Sequence, residues 1–309
     1  MTEVIPLITI EGATASGKSD LAVTLAKALN TEIISADSRQ VYKYLNIGTA
    51  KPDKHTQNEI KHHLIDIITP NQRYSAGSFV KDSQNIIQNI YKSDKIPIVC
   101  GGTMLYIKSL LYGLSPIPDS TPEAIQKTIE FINEHSWKQC YEFVRRIDEK
   151  FANSIAPTDK QRISRAIEVW MTHQKSLTEF WETTPKETMK IKPYKIYVHQ
   201  ERDVLYHRIN QRTHEMIRNG LLNEIIDVLE MGYNPTDYGL NTVGYKEFLI
   251  ETKDLLNAIE KAKQHTRNYA KRQITWYKKE NFDCVFTEEQ DINTLIEEIK
   301  KTLDKNTEF

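Results

Sequence analysis

The chain has 309 residues and a mass of 35.9 kDa, with 39% apolar and 27% charged residues. That ratio excludes disorder as the dominant state and leaves room for one large domain or a core carrying an insertion. The net charge of −1 argues at first sight against a nucleic-acid partner, but the charge is segregated: Lys261 to Lys279 holds seven Lys/Arg and no acid, whereas Thr287 to Glu298 is mostly acidic and polar.

No apolar run approaches the roughly 18 uncharged residues of a membrane span. Met1-Thr2-Glu3 leads into a β-type run instead of a basic leader, so a cytoplasmic protein is expected. Cys100, Cys140 and Cys284 lie far apart with no Cys-x-x-Cys pairing, which excludes a cysteine-built zinc knuckle or disulfide framework and reads as reduced, packed thiols.

In chain order, Val4 to Ile10 is an apolar run of buried-strand length, and Leu21, Ala22, Leu25, Ala26 and Leu29 then recur at helical spacing. Residues 32–36, 64–67 and 96–100 read as further strands, with a helix from Phe79 to Tyr91. Such alternation predicts an α/β fold with a parallel sheet. Three prolines between Leu114 and Pro122 mark an exit into helical periodicity that lasts to about Trp181. Tyr194 to Val198 is the return strand. A helix from Val204 to Leu229 interrupted at Gly220, a basic helix over 255–279, a strand over 284–286 and a closing helix through Leu303 complete the chain. The expected organisation is a P-loop core from residues 1–116 and 195–309 with a mostly helical insertion over 117–194.

Gly12-Ala13-Thr14-Ala15-Ser16-Gly17-Lys18-Ser19 matches the P-loop pattern, with a strand before it and a helix after it. Gly12 and Gly17 let backbone N–H groups converge on phosphate oxygens, Lys18 adds a point charge, and the Ser19 hydroxyl can ligate Mg²⁺. The pattern indicates a polyphosphate ligand, ATP among the candidates, without naming the reaction. Asp37-Ser38-Arg39-Gln40 begins where the second strand ends, at the edge where parallel sheets bind ligands. Asp37 can hold a metal through water, accept a proton, or cap a following helix. Gly101-Gly102-Thr103 repeats the strand-turn geometry, with Thr103 either a ligand contact or an N-cap. His62 and His63 point to opposite faces of a strand and carry no metal role.

These motifs, together with Ile47-Gly48-Thr49-Ala50-Lys51-Pro52, His62-His63-Leu64-Ile65-Asp66, Gln161-Arg162-Ile163-Ser164-Arg165, Val243-Gly244-Tyr245-Lys246-Glu247 and Lys271-Arg272-Gln273-Ile274-Thr275-Trp276, resemble in order those of the bacterial tRNA dimethylallyltransferases. The resemblance spans nearly the whole chain. Ala13 stands where that family usually has proline, Gly77 where alanine is usual, and Cys100 and Met104 flank the second glycine turn; none of these departures removes a polar group.

The resemblance implies transfer of a dimethylallyl group from its diphosphate to N6 of the adenosine 3′ to a tRNA anticodon. It assigns proton abstraction from N6 to Asp37, and it places Thr103 at the reacting groups. Contacts to the leaving pyrophosphate fall to Arg202 and Arg208, with Mg²⁺ as cofactor. Six residues on a helix turn through about 600°, so both arginines reach one ligand only if Arg202 precedes the helix. Contacts to tRNA are implied for Asp37 to Gln40, Thr103, Gln161 to Arg165, and Asn241, Thr242, Val243, Gly244, Tyr245 and Lys246. Lys263, Arg267 and Lys271, spaced by four with aromatic residues interleaved, form a stripe suited to an RNA backbone or to a solvated helix face. A monomer is expected. The alternatives are an adenylate isopentenyltransferase acting on free nucleotide, a P-loop small-molecule kinase, and a non-enzymatic P-loop RNA-binding protein.

Overall fold

The computed structural model describes residues 4–115, 117–184, 188–250 and 254–303. The chain divides into two compact units, Met1–Tyr112 with Met189–Phe309, and Gly113–Thr188. The helical unit thus begins and ends earlier than the expected 117–194, because the return strand starts at Ile191 and draws its lead-in into the sheet unit. Pro116, part of the proline-rich exit, lies outside the described residues.

The sheet unit is built on strands β1 (Ile5–Gly12), β2 (Ile33–Ser35), β3 (His62–His63), β4 (Ile98–Gly101), β5 (Ile191–Val198) and β6 (Cys284–Phe286). They form one parallel sheet in the order β3-β2-β4-β1-β5-β6. Its helices are α1 (Lys18–Ala28), α2 (Lys54–Glu59), α3 (Ala76–Lys92), α4 (Met104–Tyr112), α10 (Arg202–Arg218), α11 (Leu221–Glu230), α12 (Lys246–Ile250), α13 (Leu255–Tyr277) and α14 (Ile292–Leu303). The other unit holds α5 (Pro122–Glu134), α6 (Trp137–Ile147), α7 (Glu149–Asn153), α8 (Lys160–His173) and α9 (Leu177–Thr183).

Strand β1 is buried along its whole length because both faces of the sheet are covered, which is why it reads as a continuous apolar run. The period of two sorts its side chains. Ile8 and Ile10 join Ile98 and Ile196 under the Leu21, Ala22, Leu25 and Ala26 face of α1. Ile5 and Leu7 join Ile34 and Val99 under Phe79 and Ile87 of α3 and Ile107 and Leu110 of α4. Register aligns the strand ends, with Glu11 opposite Gly101 and Gly12 opposite Val198. The turns that follow β1, β2 and β4 therefore open at one edge.

Leu64 and Asp66 adopt left-handed φ of 61° and 57°, so the third strand is confined to His62–His63 instead of the expected 64–67. His63 Nε2 lies 2.7 Å from Glu32 Oε2 and His62 Nδ1 lies 2.7 Å from the Ile60 carbonyl. Helices α2 and α12 were not expected: six and five residues are too few to show a period. Gly220 breaks α10 from α11 with φ 98°, as its position predicts.

The helical unit is closed by local chemistry. Thr121 caps α5 with Pro122 in its first turn, and Ser136 with Gln139 and Ser176 with Glu179 form capping boxes on α6 and α9. Cys140, Val144, Ile163, Ala166, Ile167 and Val169 form its core.

A third apolar cluster of the sheet unit ties Val41, Tyr42 and Leu45 to Leu221, Ile225 and Val228 of α11 and to Tyr245. Within it the Glu224 carboxylate accepts from the N–H groups of Asn46 and Ile47, each at 2.8 Å, from that of Gly48 at 3.3 Å, and from the Tyr245 hydroxyl at 2.6 Å. A side chain on Gly48 would run into the Tyr245 ring, so this glycine is required by close approach. Replacing Glu224 with alanine orphans three N–H groups and a buried phenol, and should cost about 3 kcal/mol in chemical denaturation. Tyr245→Phe, which removes one donor from a carboxylate still held by three others, should cost about 1 kcal/mol. Equal losses for the two variants would contradict a network centred on the carboxylate.

Candidate active site

The loop from Gly12 to Ser19 leaves β1 and enters α1 with Gly17 as N-cap at φ 89° and no side-chain cap. Ala15 is also left-handed at φ 68°. Alternation of this kind turns successive N–H groups inward and forms an anion nest at a positive helix end. Ser16 Oγ is buried there with no hydrogen-bond partner, which suits a loop built to receive acceptor oxygens. Lys18 Nζ donates to the Ala13 carbonyl at 3.3 Å. Ala13 itself is buried against Leu205, Ile209 and Ala270, where its small side chain fits between α10 and α13.

The second cation at this loop is Arg212, which was not among the residues expected at the pyrophosphate. Its guanidinium donates to Thr14 Oγ1. Burial pulls the Arg212 pKa down and the Asp37 carboxylate opposes that fall; Lys18 is likewise lowered by burial, opposed by Cys100 and Asp37 and reinforced by Arg212. Two partly buried cations thus lie near the Asp37 carboxylate, Arg212 also near Glu215, and an incoming polyanion would find both cations facing it. Cys100 beside them is inert, its thiol pushed up to about 12 by burial. The three cysteines are free.

Asp37 follows β2 at the same edge. No helix follows it. Its carboxylate accepts from the Arg39 N–H at 2.8 Å and closes a turn, one oxygen remaining for other partners. Thr103 Oγ1 accepts from the Ser38 N–H at 3.0 Å, and the Thr103 N–H donates to the Ala36 carbonyl at 3.1 Å. The Thr103 hydroxyl therefore faces the Asp37 turn. Gln40 accepts from Ser35 Oγ at 3.0 Å and donates to the carbonyls of Thr49 and Ala50, fixing the end of Asp37-Ser38-Arg39-Gln40 against the loop held by Glu224.

The arginines expected at the pyrophosphate divide. Arg202 is the first residue of α10 and not a residue before it; its guanidinium lies 5.0 Å over the Tyr206 ring, which packs against the Ala13 cluster. Arg208 makes a bidentate pair with Glu288 at 2.6 and 2.8 Å, and Glu288 lies beside Gly17. Arg208 and Arg212, one helical turn apart, are the pair that α10 turns toward the loop. That four-residue spacing was the available signal.

Several positions implied to touch RNA are buried. Thr242 and Tyr245 lie in the interior and Ile163 is core of the helical unit, so these side chains support a surface instead of forming it. Asn241, Gln161 and Arg162 are exposed, while Val243, Gly244, Lys246, Ser164 and Arg165 are partly so. Arg162 Nε lies 3.5 Å from Asp159, and Arg165 bonds Ser120 and Glu168. The expected stripe is likewise broken: Lys263 is buried and paired with Glu260 at 2.6 Å, and Arg267 donates to Asn210 at 2.6 Å. The open basic surface of α13 lies further along, a groove of about 470 Å³ lined by Asn268, Lys271, Arg272, Thr275, Trp276 and Lys279.

The donor set bears on a metal. Among the described residues no cluster of three or more His, Cys, Asp or Glu forms a cage. Ser19 is exposed on the first turn of α1, and a lone hydroxyl completed by phosphate oxygens and water is the arrangement Mg²⁺ favours with phosphate ligands. Among the described residues, no helix is long and apolar enough to cross a membrane.

Comparison with known proteins places this geometry. Residues 40–280 match the family described as IPP transferase. The chain is 41% identical over 307 residues to the tRNA dimethylallyltransferase of Thermoanaerobacter sp. (strain X514), covering 97% of each. It superposes with TM-score 0.66 and 34% identity on the crystal structure of tRNA delta(2)-isopentenylpyrophosphate transferase from Staphylococcus epidermidis, covering 97% of this chain and 99% of that one. A eukaryotic dimethylallyltransferase captured acting on tRNA matches with TM-score 0.74 and 29% identity over 88% of this chain and 69% of that one. With a P-loop, two partly buried cations and an aspartate at one sheet edge, and with similarity running from end to end, the chain belongs to the IPP transferase family, the tRNA dimethylallyltransferases.

Proposed function

We propose that this protein transfers the dimethylallyl group of dimethylallyl diphosphate to N6 of the adenosine 3′-adjacent to the anticodon in tRNA, releasing diphosphate. The observation that carries the assignment is the placement of Asp37 at the same sheet edge as Lys18 and Arg212, a proton acceptor facing a leaving-group cradle. The bond that forms is N6 to C1 of the dimethylallyl group, the bond that breaks joins C1 to the bridging oxygen, and the electron pair of that bond leaves with diphosphate. Lys18, Arg212 and the inward N–H groups of the loop meet the negative charge that grows on the diphosphate, an effect strengthened by their desolvation. Asp37 takes the N6 proton as the amine becomes cationic. Ser19 and the diphosphate would hold Mg²⁺, which supplies Lewis-acid charge neutralisation when bound.

A base inside an anticodon loop must leave its stack to reach such an edge. The RNA-facing groups are Asp37 to Gln40, the loop near Asn241, and the α13 groove, where Trp276, with Lys108 Nζ 5.1 Å over its ring, lies beside Lys271, Arg272 and Lys279. The helical unit, with Gln161, Arg162 and Arg165 on α8, is assigned to the anticodon stem-loop. An enzyme for free adenylate needs neither, which disfavours that alternative. One copy of the chain supplies every group invoked, so a monomer suffices.

The deciding experiment supplies Mg²⁺, dimethylallyl diphosphate, ATP, AMP and unmodified tRNA together and identifies products by mass spectrometry. Prenylated adenosine in tRNA is expected; prenylated AMP alone, or phosphate transfer from ATP, would overturn the assignment. Asp37→Ala should bind tRNA within severalfold of the parent and lose roughly 10²- to 10⁴-fold in kcat. Near-normal turnover with weakened tRNA binding would falsify its role as base. Charge reversal at Lys271 and Arg272 should make the dependence of log K for tRNA on log salt shallower by roughly 1.4 to 1.8, since about 0.7 to 0.9 is lost per phosphate contact. Lys263→Glu, at a buried ion-paired site, should lower thermal stability and leave that slope unchanged.

A further inference from the structure

Gln273 of α13 sits at the junction of the two halves of the site. It is 1% exposed, and both ends of its amide are used. Its Oε1 accepts from the Thr14 N–H at 2.9 Å, and its Nε2 donates to the Gly102 carbonyl at 2.8 Å. The first contact is to the loop that cradles the leaving group. The second is to the turn whose next residue, Thr103, is bonded to Ser38 beside Asp37. One planar amide thus spans from the leaving-group side to the proton-acceptor side, joining segments that lie 259 and 171 residues from it in sequence.

The neighbours are arranged around this bridge. A side chain on Gly102 would collide with Gln273 Nε2, so glycine there leaves space for the amide. Tyr269, one turn earlier on α13, donates to the same Gly102 carbonyl at 3.1 Å. Arg212 holds the other end of Thr14 through its hydroxyl. The chemistry of the bridge demands one acceptor and one donor on a rigid plane. Among side chains of this length an amide supplies both, as does a carboxylic acid only while protonated.

We propose that Gln273 is a positioning residue that sets the separation between the diphosphate cradle and the Asp37–Thr103 side, and so the in-line approach of N6 to C1. The proposal rests on the prenyl-transfer reading above. Gln273 itself touches neither reacting atom. Removing the bridge leaves each half-site assembled by its own contacts, so binding of each substrate survives while their mutual register loosens. Misplacement of about 1 Å between reacting groups costs on the order of 10²-fold in rate.

Three variants test this. Gln273→Met keeps the volume and removes both bonds. It should lower kcat by roughly 10- to 10²-fold, with the KM for tRNA and for dimethylallyl diphosphate, and the calorimetric affinity for inorganic pyrophosphate with Mg²⁺, within about threefold of the parent. Gly102→Ala, which displaces the amide from the other side, should reproduce that split. Gln273→Glu restores the donor only when protonated, and burial raises a carboxyl pKa. Its kcat relative to the parent should be highest at acid pH and fall as pH rises through the raised pKa. Thermal melts establish that each variant is folded, and if Gln273→Met melts out, the pH profile of Gln273→Glu carries the test. An active parent with unchanged kcat in Gln273→Met, a loss confined to KM or pyrophosphate affinity, or a flat relative pH profile for Gln273→Glu would overturn the proposal. Absence of tRNA prenylation by the parent itself would instead overturn the functional reading on which it rests.

Discussion

Lys18 and Arg212 are partly buried cations at the edge of a parallel sheet, with Asp37 the carboxylate near both. Burying two like charges is costly unless something is gained when an anion arrives. Much of the surrounding architecture serves that arrangement. The eight-residue strand β1 delivers the loop to the edge, the left-handed Ala15 and Gly17 curl its N–H groups inward, and α10 carries Arg212 to Thr14. Without the flush register of β1 with β4 and β5, the phosphate loop and the second glycine turn would not open side by side.

The chemistry on the other side of the edge depends on rigidity at a distance. Asp37 stands in a turn of only a few residues, with no helix behind it. Its support comes from Gln40 and from the 46–50 loop, which is held in turn by a buried carboxylate on α11 and a buried phenol. Tyr245 and Thr242 act from beneath the surface. A residue implied by motif to contact RNA can thus serve it by fixing the backbone that does.

What could be read from the chain follows from range. The strand, loop and first helix were legible because the signal is local: a short apolar run, glycines at fixed offsets, then a helical period. The break at Gly220 was legible for the same reason. The strand at 64–67 was misplaced because nothing local shows that Leu64 and Asp66 turn left-handed; Asp66 is held by Lys51, fifteen residues earlier. Spacing of four correctly put Lys263, Arg267 and Lys271 along one side of α13, but spacing does not say where that side points, and its first member faces inward beside Ala262. Gln273 stood in a family motif without a role, and Glu224 in none, because each acts on backbone more than 170 residues away.

That range has a consequence for how the protein comes into being. The loop is made from residues 12 to 19, yet the strand that flanks β1 on one side begins at Ile191, and the arginine and amide that lock Thr14 arrive at residues 212 and 273. On a ribosome the phosphate loop is therefore synthesised long before its partners, with one side of β1 open while the helical unit is threaded out. Contacts of such separation are slow to close. Assembly of the catalytic edge is consequently a late event, and a nascent chain stalled before α13 carries a recognisable phosphate motif with no assembled site around it.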